Sequence, residues 1–300
     1  MKCVVCQSGD VQRFIAEPRD REYFTTAAVD DVVIDLCKHC LSLFQDPQPT
    51  AEQCASYYPP DYQNYMSGRV PLLSSLLEKQ QKKAAKAFLM AYGQDAVILD
   101  FGCGDGLFLR CLEGLGAKNL FGFEPNYRES NKSAPLRSMI VGKLDDLMTQ
   151  GIQFDVIRMN HVIEHLADLD AEMLLLRRLL KPGGRIVGQT PNPAHFSVRL
   201  FGAFWGALHF PYHTVLLSPK GLREAAPRWH MQLVQLRGTI MPTVWSMSAE
   251  NWLKKVLDSQ RRGRLPIYSL LVFGGLCIAV VDRLINQNET GVYDFVLEAV

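Results

Sequence analysis

The run Val97-Ile98-Leu99-Asp100-Phe101-Gly102-Cys103-Gly104-Asp105-Gly106 gathers residues suited to holding a ligand through the main chain. An apolar stretch leads into an acid and then a Gly-x-Gly-x-Gly turn. Glycine takes left-handed torsions without steric cost and lets backbone N–H groups approach a bound molecule closely. The nicotinamide fingerprint is Gly-x-Gly-x-x-Gly. Here the third glycine comes one residue early and Asp100 precedes the turn, which suits a cationic or amino-bearing ligand better than a diphosphate. A second acid, Glu124, closes Leu120-Phe121-Gly122-Phe123, where a carboxylate can accept both hydroxyls of a ribose. Asp100, Gly102, Cys103, Gly104, Gly106 and Glu124 are therefore the expected walls of a nucleoside site.

Two further groups of residues could do chemistry. Cys3-x-x-Cys6 and Cys37-x-x-Cys40 form two knuckles around a β-rich insert. Each pair can offer two thiolates to one tetrahedral zinc, and four thiolates close the shell, so the expected role is structural. His39, inside the second knuckle, is an inferior ligand. Paired cysteines of this kind point to a reducing compartment, with the cytoplasm as the expected location. The other group is His161, Glu164 and His165. A helical turn would place the two histidines on one face. His161 lies nearer the carboxyl edge of the preceding strand, where open α/β sheets bind ligands, and is the candidate general base. His165 reads as a packing and hydrogen-bonding residue. The alternative is a second metal on His161, Glu164 and His165, completed by His195, His209 or His213.

These residues need a scaffold. With 300 residues, 48% hydrophobic and 21% charged, the chain is an ordinary globular protein. Its net charge of +1 gives no electrostatic case for nucleic acid or for an anionic membrane surface. Strands are expected at 96–101, 120–123, 138–141, 154–159 and 184–189, and helices at 107–115, 126–132, 144–149 and 167–180. Lys181-Pro182-Gly183-Gly184 is expected to turn the last helix into the fifth strand. Such βα alternation implies a Rossmann-like α/β sheet, mostly parallel with the last strand antiparallel. The expected divisions are a zinc-ribbon-like module at 1–50, a helical linker at 51–92 and the main domain at 93–300. The main domain would hold a variable lid at 191–216 and an apolar insertion at 242–286.

In these residues the chain resembles the class I S-adenosylmethionine-dependent methyltransferases. The resemblance extends through Phe154-Asp155-Val156-Ile157, Asn160-His161-Val162-Ile163-Glu164-His165-Leu166, Leu180-Lys181-Pro182-Gly183-Gly184 and Thr190-Pro191-Asn192. It implies S-adenosylmethionine as cofactor, S-adenosylhomocysteine as product, and contacts from Asp145, near the adenine, and Asn160. Asp146 competes with Asp145 for that place. The cysteine knuckles with Asp46-Pro47-Gln48-Pro49-Thr50 and Tyr57-Tyr58 resemble the zinc-binding N-terminus of a group that includes deoxysugar C-methyltransferases, whose long second C-terminal domain this chain lacks. His161-x-x-Glu164-His165 resembles the Glu-x-x-Glu-His metal motif of small-RNA O-methyltransferases, with His in place of the first Glu.

Phe196, Phe201, Phe204, Trp205 and Phe210 stand in the expected lid, and read equally well as the wall of a ring-shaped acceptor site or as lid packing. Leu265 to Val281 carries no charge. Burial or homodimer packing is its first reading and peripheral membrane contact through 265–281 its second. The expected function is methyl transfer to a small-molecule, saccharide or lipid-linked acceptor. The alternative is an inactive cofactor-binding protein that docks a partner through its zinc module.

Overall fold

The computed structural model describes residues 1–19, 29, 31–58, 71–125, 139–259, 264–287 and 289–300, without the side chains of 71–77, 139, 145 and 146. The expected helix at 126–132 lies outside the described residues.

A seven-stranded sheet forms the main domain. Its strands are β4 (Ile98–Phe101), β5 (Leu120–Phe123), β6 (Met139–Val141), β7 (Phe154–Asn160), β8 (Leu180–Pro191), β10 (Met231–Gly238) and β11 (Val292–Ala299), in the order β10-β11-β8-β7-β4-β5-β6. The pairings of β4 with β5 and β7, of β5 with β6 and of β7 with β8 are parallel. β11 runs antiparallel to both β8 and β10. This is the Rossmann-like α/β arrangement expected. All four residues of β4 are buried, as a central parallel strand covered on both faces must be. Phe101, Phe154, Ile157, Met159, Ile186 and Phe295 pack in the core below the site, and each such side chain contributes about 1.5–3 kcal/mol on burial.

Helices supply the flanks. α3 (Leu107–Gly114) starts directly after the glycine turn and buries Phe108, Leu109, Cys111 and Leu112. α2 (Pro71–Tyr92) crosses it, with Phe88 edge-on to Phe108 at 5.6 Å. α4 (Asp145–Thr149) follows β6. α5 (Leu169–Leu179) is capped by Asp168, whose carboxylate accepts from the Ala171 N–H at 3.0 Å. The Lys181–Gly184 turn is present, but as an excursion within β8. Phe154 pairs with Leu180 and Val156 with Arg185, so the intervening residues leave the ladder, with Gly183 at φ +69°. The strand thus starts earlier than its glycines suggest.

The cysteine-bearing segment builds a second, antiparallel sheet from β1 (Val11–Ile15), β2 (Val33–Cys37) and β3 (Leu43–Asp46). Its fourth strand is β9 (Val215–Leu216), which pairs with β3. Residues expected to end the lid therefore complete the sheet of the N-terminal segment. α1 (Ala51–Tyr57) leads out of that sheet, with Thr50 and Gln53 forming a capping box. Around the lid lie α6 (Phe196–Phe201) and α7 (Pro219–Ala225). Between β10 and β11 the chain makes a hairpin of α8 (Pro242–Val256) and α9 (Tyr268–Asn286).

The sheet tolerates little change beneath the site. A Cβ at Gly188, on β8, would lie 2.5 Å from the Met159 carbonyl oxygen and 2.5 Å from the Phe295 ring. Gly188→Ala should cost about 1–3 kcal/mol through overpacking, measurable as a lower midpoint in urea with an unchanged slope.

Candidate nucleoside and acceptor site

The glycine turn is laced to the end of the neighbouring strand. Gly102 N–H and Cys103 N–H both donate to the Phe123 carbonyl, at 2.8 and 3.1 Å. Gly102, Gly104 and Gly106 have φ of +76°, +56° and +77°, torsions that side-chain-bearing residues avoid. A Cβ at Gly102 would lie 2.5 Å from Val162 Cγ2, whereas one at Gly104 would meet nothing within 4 Å. The turn is therefore closed on its inner side and open at Gly104. Glu124 leans back over it, its Oε2 accepting from Gly104 N–H at 3.2 Å. Gly106 stands at the N-cap of α3, whose first N–H groups carry partial positive charge.

Asp100 and Cys103 point elsewhere. Asp100 is buried, and its Oδ1 accepts from Arg158 Nη1 at 2.6 Å. Its Oδ2 is buried with no hydrogen-bond partner among the described residues. Burial raises the Asp100 pKa against the pull of the Arg158 charge. The Arg158 guanidinium also lies 3.9 Å above the Phe108 ring centroid, so it ties β4 to both β7 and α3. Sequence reasoning missed Arg158. The signal was an arginine within the otherwise apolar run of β7, where a charge survives only with a partner. The Cys103 side chain packs over Gly122, and burial, with the charges of Asp100 and Glu124, pushes its thiol pKa up. The Cys103 side chain thus belongs to the packing beneath the turn, and its N–H to the bond with the Phe123 carbonyl. Asp145 opens α4 and Asn160 ends β7, paired with Gln189.

Beyond Asn160 the two histidines part company. His161 has φ +54° and the following turn, 163–165, is a short 3-10 segment, so no common helical face forms. The His161 side chain is 41% exposed. Its Nε2 lies 2.8 Å from Gln189 Oε1 and its Nδ1 3.3 Å from Glu164 Oε1. Burial pulls its pKa down, but the bonds to Glu164 and Gln189 outweigh this and leave it above the ordinary value of 6.5. His165 is turned inward, with Nδ1 2.9 Å from the Tyr58 hydroxyl and 3.0 Å from the Tyr212 carbonyl. Burial draws its pKa down to about 4 in spite of the Glu164 charge. Glu164 is fully buried and its Oε2 accepts from Thr190 Oγ1 at 3.0 Å.

His213 arrives from the lid. One ligand atom each of Glu164, His165 and His213 lie within 4.8 Å of one another. His213 Nδ1 donates to the Ala207 carbonyl at 2.8 Å, which leaves Nε2 as its lone-pair nitrogen. His195 is remote from this group and bonds Asp282 at 3.1 Å. In the lid, Trp205 and Phe210 are buried, while Phe201, Phe204, Arg199, Leu200 and Trp252 line a cleft of about 570 Å³. The lid aromatics thus divide between packing and an open wall.

At the N-terminus, Sγ atoms of Cys3, Cys6, Cys37 and Cys40 lie within 4.8 Å of one another. The two knuckles have the same backbone. Gln7 and Leu41, each one residue past the second cysteine, both have φ +64°. Each donates its N–H to the carbonyl of the first cysteine, at 2.9 and 2.8 Å. Val5 and Cys6 N–H groups approach Cys3 Sγ at 3.4 and 3.5 Å, and Cys40 N–H approaches Cys37 Sγ at 3.5 Å. His39 faces away, onto Glu224 at 3.1 Å.

Comparison with known proteins identifies the family. A family model described as a methyltransferase domain matches residues 62–250, more than half of the chain. The ubiquinone biosynthesis O-methyltransferase of Cereibacter sphaeroides is 30% identical over 167 residues, covering 50% of this chain and 66% of that protein. Its counterpart in Xanthomonas oryzae pv. oryzae is 31% identical over 158 residues, covering 48% and 66%. The chain thus spans about two thirds of the length of these relatives. Among solved structures, magnesium protoporphyrin IX methyltransferase from Synechocystis PCC 6803 with bound SAH is 14% identical, with a TM-score of 0.45 over 78% of this chain and 90% of that one. The chain belongs to the methyltransferase domain family and carries an S-adenosylmethionine-dependent methyltransferase domain.

Gly104→Leu tests the cradle. The position has open space around it, so the substitution should leave the fold largely intact at a backbone cost of about 1–2 kcal/mol. Calorimetric titration should show S-adenosylhomocysteine affinity reduced by at least about 100-fold.

Proposed function

We propose that the chain transfers a methyl group from S-adenosylmethionine to an oxygen of a small-molecule, saccharide or lipid-linked acceptor. The observation that carries this reading is the left-handed glycine turn, open at Gly104 and overhung by Glu124. When bound, the cofactor supplies an electrophilic methyl on a sulfonium. The open backbone face of the turn at Gly104 and the Glu124 carboxylate would hold the nucleoside, Glu124 exchanging its bond to Gly104 N–H for the ribose hydroxyls, and the N-terminus of α3 favours a carboxylate nearby. Most of the acceleration in an in-line displacement comes from alignment. His161, part-exposed at the carboxyl edge of β7, would keep its Nδ1 proton on Glu164 and, deprotonated at Nε2 and released from Gln189 Oε1, would take there the proton that the acceptor loses. The relatives named for ubiquinone biosynthesis O-methylation support an oxygen acceptor. His161→Ala should lower kcat by about 10²–10⁴-fold while S-adenosylhomocysteine affinity stays within about twofold. Wild-type kcat in that variant would remove His161 from the chemistry.

For the four cysteines the proposed ligand is one structural zinc. The paired knuckles, with N–H groups aimed at sulfur, suit thiolates in a closed tetrahedral shell. Elemental analysis of protein purified without added metal should find about one zinc per chain. Cys6→Ser should lose that zinc and lower the melting temperature.

A second reading concerns the acceptor edge. The clustering of Glu164, His165 and His213 favours a divalent cation there, with the neutral imidazoles of His165 and His213 as nitrogen ligands. Exhaustive dialysis against a chelator separates the two readings. An enzyme that uses His161 alone keeps its activity. One that uses the cation loses it and recovers with added Mn²⁺ or Mg²⁺, and His213→Ala abolishes the recovery.

A further inference from the structure

α9 inverts the usual polarity of a surface helix. Against the protein it buries Gly275, Ala279 and Asp282, two small residues and a charge. The close approach is to α8, where a Cβ on Gly275 would lie 2.7 Å from the Pro242 carbonyl oxygen. Asp282 is held by His195 at 3.1 Å and Asn286 at 2.7 Å. To the outside it presents large apolar side chains: Leu270, Phe273, Leu284 and Ile285 are 71–74% exposed, with Leu276, Ile278 and Val281 also exposed. The expectation that this stretch is buried is therefore corrected. Its 19 residues are long and apolar enough to cross a membrane.

Three features say what covers this face. At 100° per residue the exposed apolar positions sweep an arc of about 200°, wider than the strip one partner helix covers, so a fluid apolar medium fits better than a second copy. The chain enters the hairpin from β10 and leaves it into β11, which pair with each other, so both ends of the hairpin return to one sheet and α9 does not traverse a bilayer. Charge is arranged for anionic headgroups. Lys254 is buried and Arg264 pairs with the buried Glu250 at 3.1 Å, but the sequence between them holds Lys255, Arg261 and Arg262 against the single acid Asp258, and no charge follows Arg264 until Asp282. The Arg264 guanidinium lies 4.8 Å from the Tyr268 ring centroid at the start of the helix, and Trp252, 52% exposed, sits on the adjoining α8. Aromatic residues of this kind favour the membrane interface.

We infer that α9 lies flat in the boundary between headgroups and acyl chains of an anionic bilayer, with the basic residues that precede it in the sequence among the headgroups. The contact places the lid at the membrane surface, because His195, at the N-cap of α6, is bonded to Asp282 of α9. It stands independently of the reaction proposed above.

Co-sedimentation of the full chain with vesicles tests it. The wild type should pellet with vesicles of phosphatidylcholine and phosphatidylglycerol, and tryptophan emission should shift to the blue. Leu270→Glu/Phe273→Glu should reduce the pelleted fraction at least about tenfold, with an unchanged melting temperature because both side chains are exposed. Leu284→Glu, at the other end of the helix, should weaken binding independently. Wild type remaining in the supernatant, or variants that pellet like wild type, would overturn the inference. So would a dimer in sedimentation equilibrium that Leu270→Glu/Phe273→Glu disperses while the wild type ignores vesicles. Equal binding to pure phosphatidylcholine would overturn its electrostatic part.

Discussion

The turn between β4 and α3 needs a backbone that turns the wrong way for ordinary residues. Three alternate glycines between β4 and α3 meet that need, and the rest of the domain holds them there. Two N–H groups of the turn are fastened to the Phe123 carbonyl, so the end of β5 sets where the turn sits and where Glu124 emerges. Asp100 supports the same point from beneath. Its buried carboxylate is matched by Arg158 from β7, which also lies against Phe108 on α3. Breaking one partner of such a pair leaves a buried charge and costs about 3–5 kcal/mol. The pair thus makes the position of the turn depend on three elements at once.

Much of this was legible in the residues themselves. Alternating apolar runs and helix-stop signals located the sheet strands to within a few residues, since buried parallel strands read as short apolar blocks. The cysteine spacing announced the paired knuckles, and the place of Glu124 directly after an apolar strand was readable, though not its bond to Gly104 N–H. Less legible were relations between distant residues. Nothing local to Asp100 shows that Arg158 claims its carboxylate. His161 and His165 share a helical spacing, yet the left-handed backbone at His161 sends their side chains in different directions. His213 joins Glu164 and His165 only because the lid folds back over the carboxyl edge of β7. Tertiary placement of loops has no periodic signature, and it is here that pattern reading stops.

The proposed acceptor end differs in physical character from the proposed nucleoside end. The glycine turn is largely backbone, whereas the edge beyond β7 is a set of titratable side chains in varied surroundings. Glu164 is fully buried and its charge is compensated by neighbouring hydrogen bonds and histidines, while His161 remains open to solvent. Holding one histidine neutral inside and raising the pKa of another at the mouth separates a structural or ligating role from a proton-accepting one.

The pairing of β9 with β3 carries a consequence for how the chain matures. The sheet begun by the first fifty residues is closed by Val215 and Leu216, so during synthesis it must wait for more than half of the polypeptide. A fragment ending near Thr50 would expose the bare edge of β3, an invitation to pair with another molecule. The N-terminal cysteines are therefore poor material for an excised mini-domain, however self-contained their spacing makes them look.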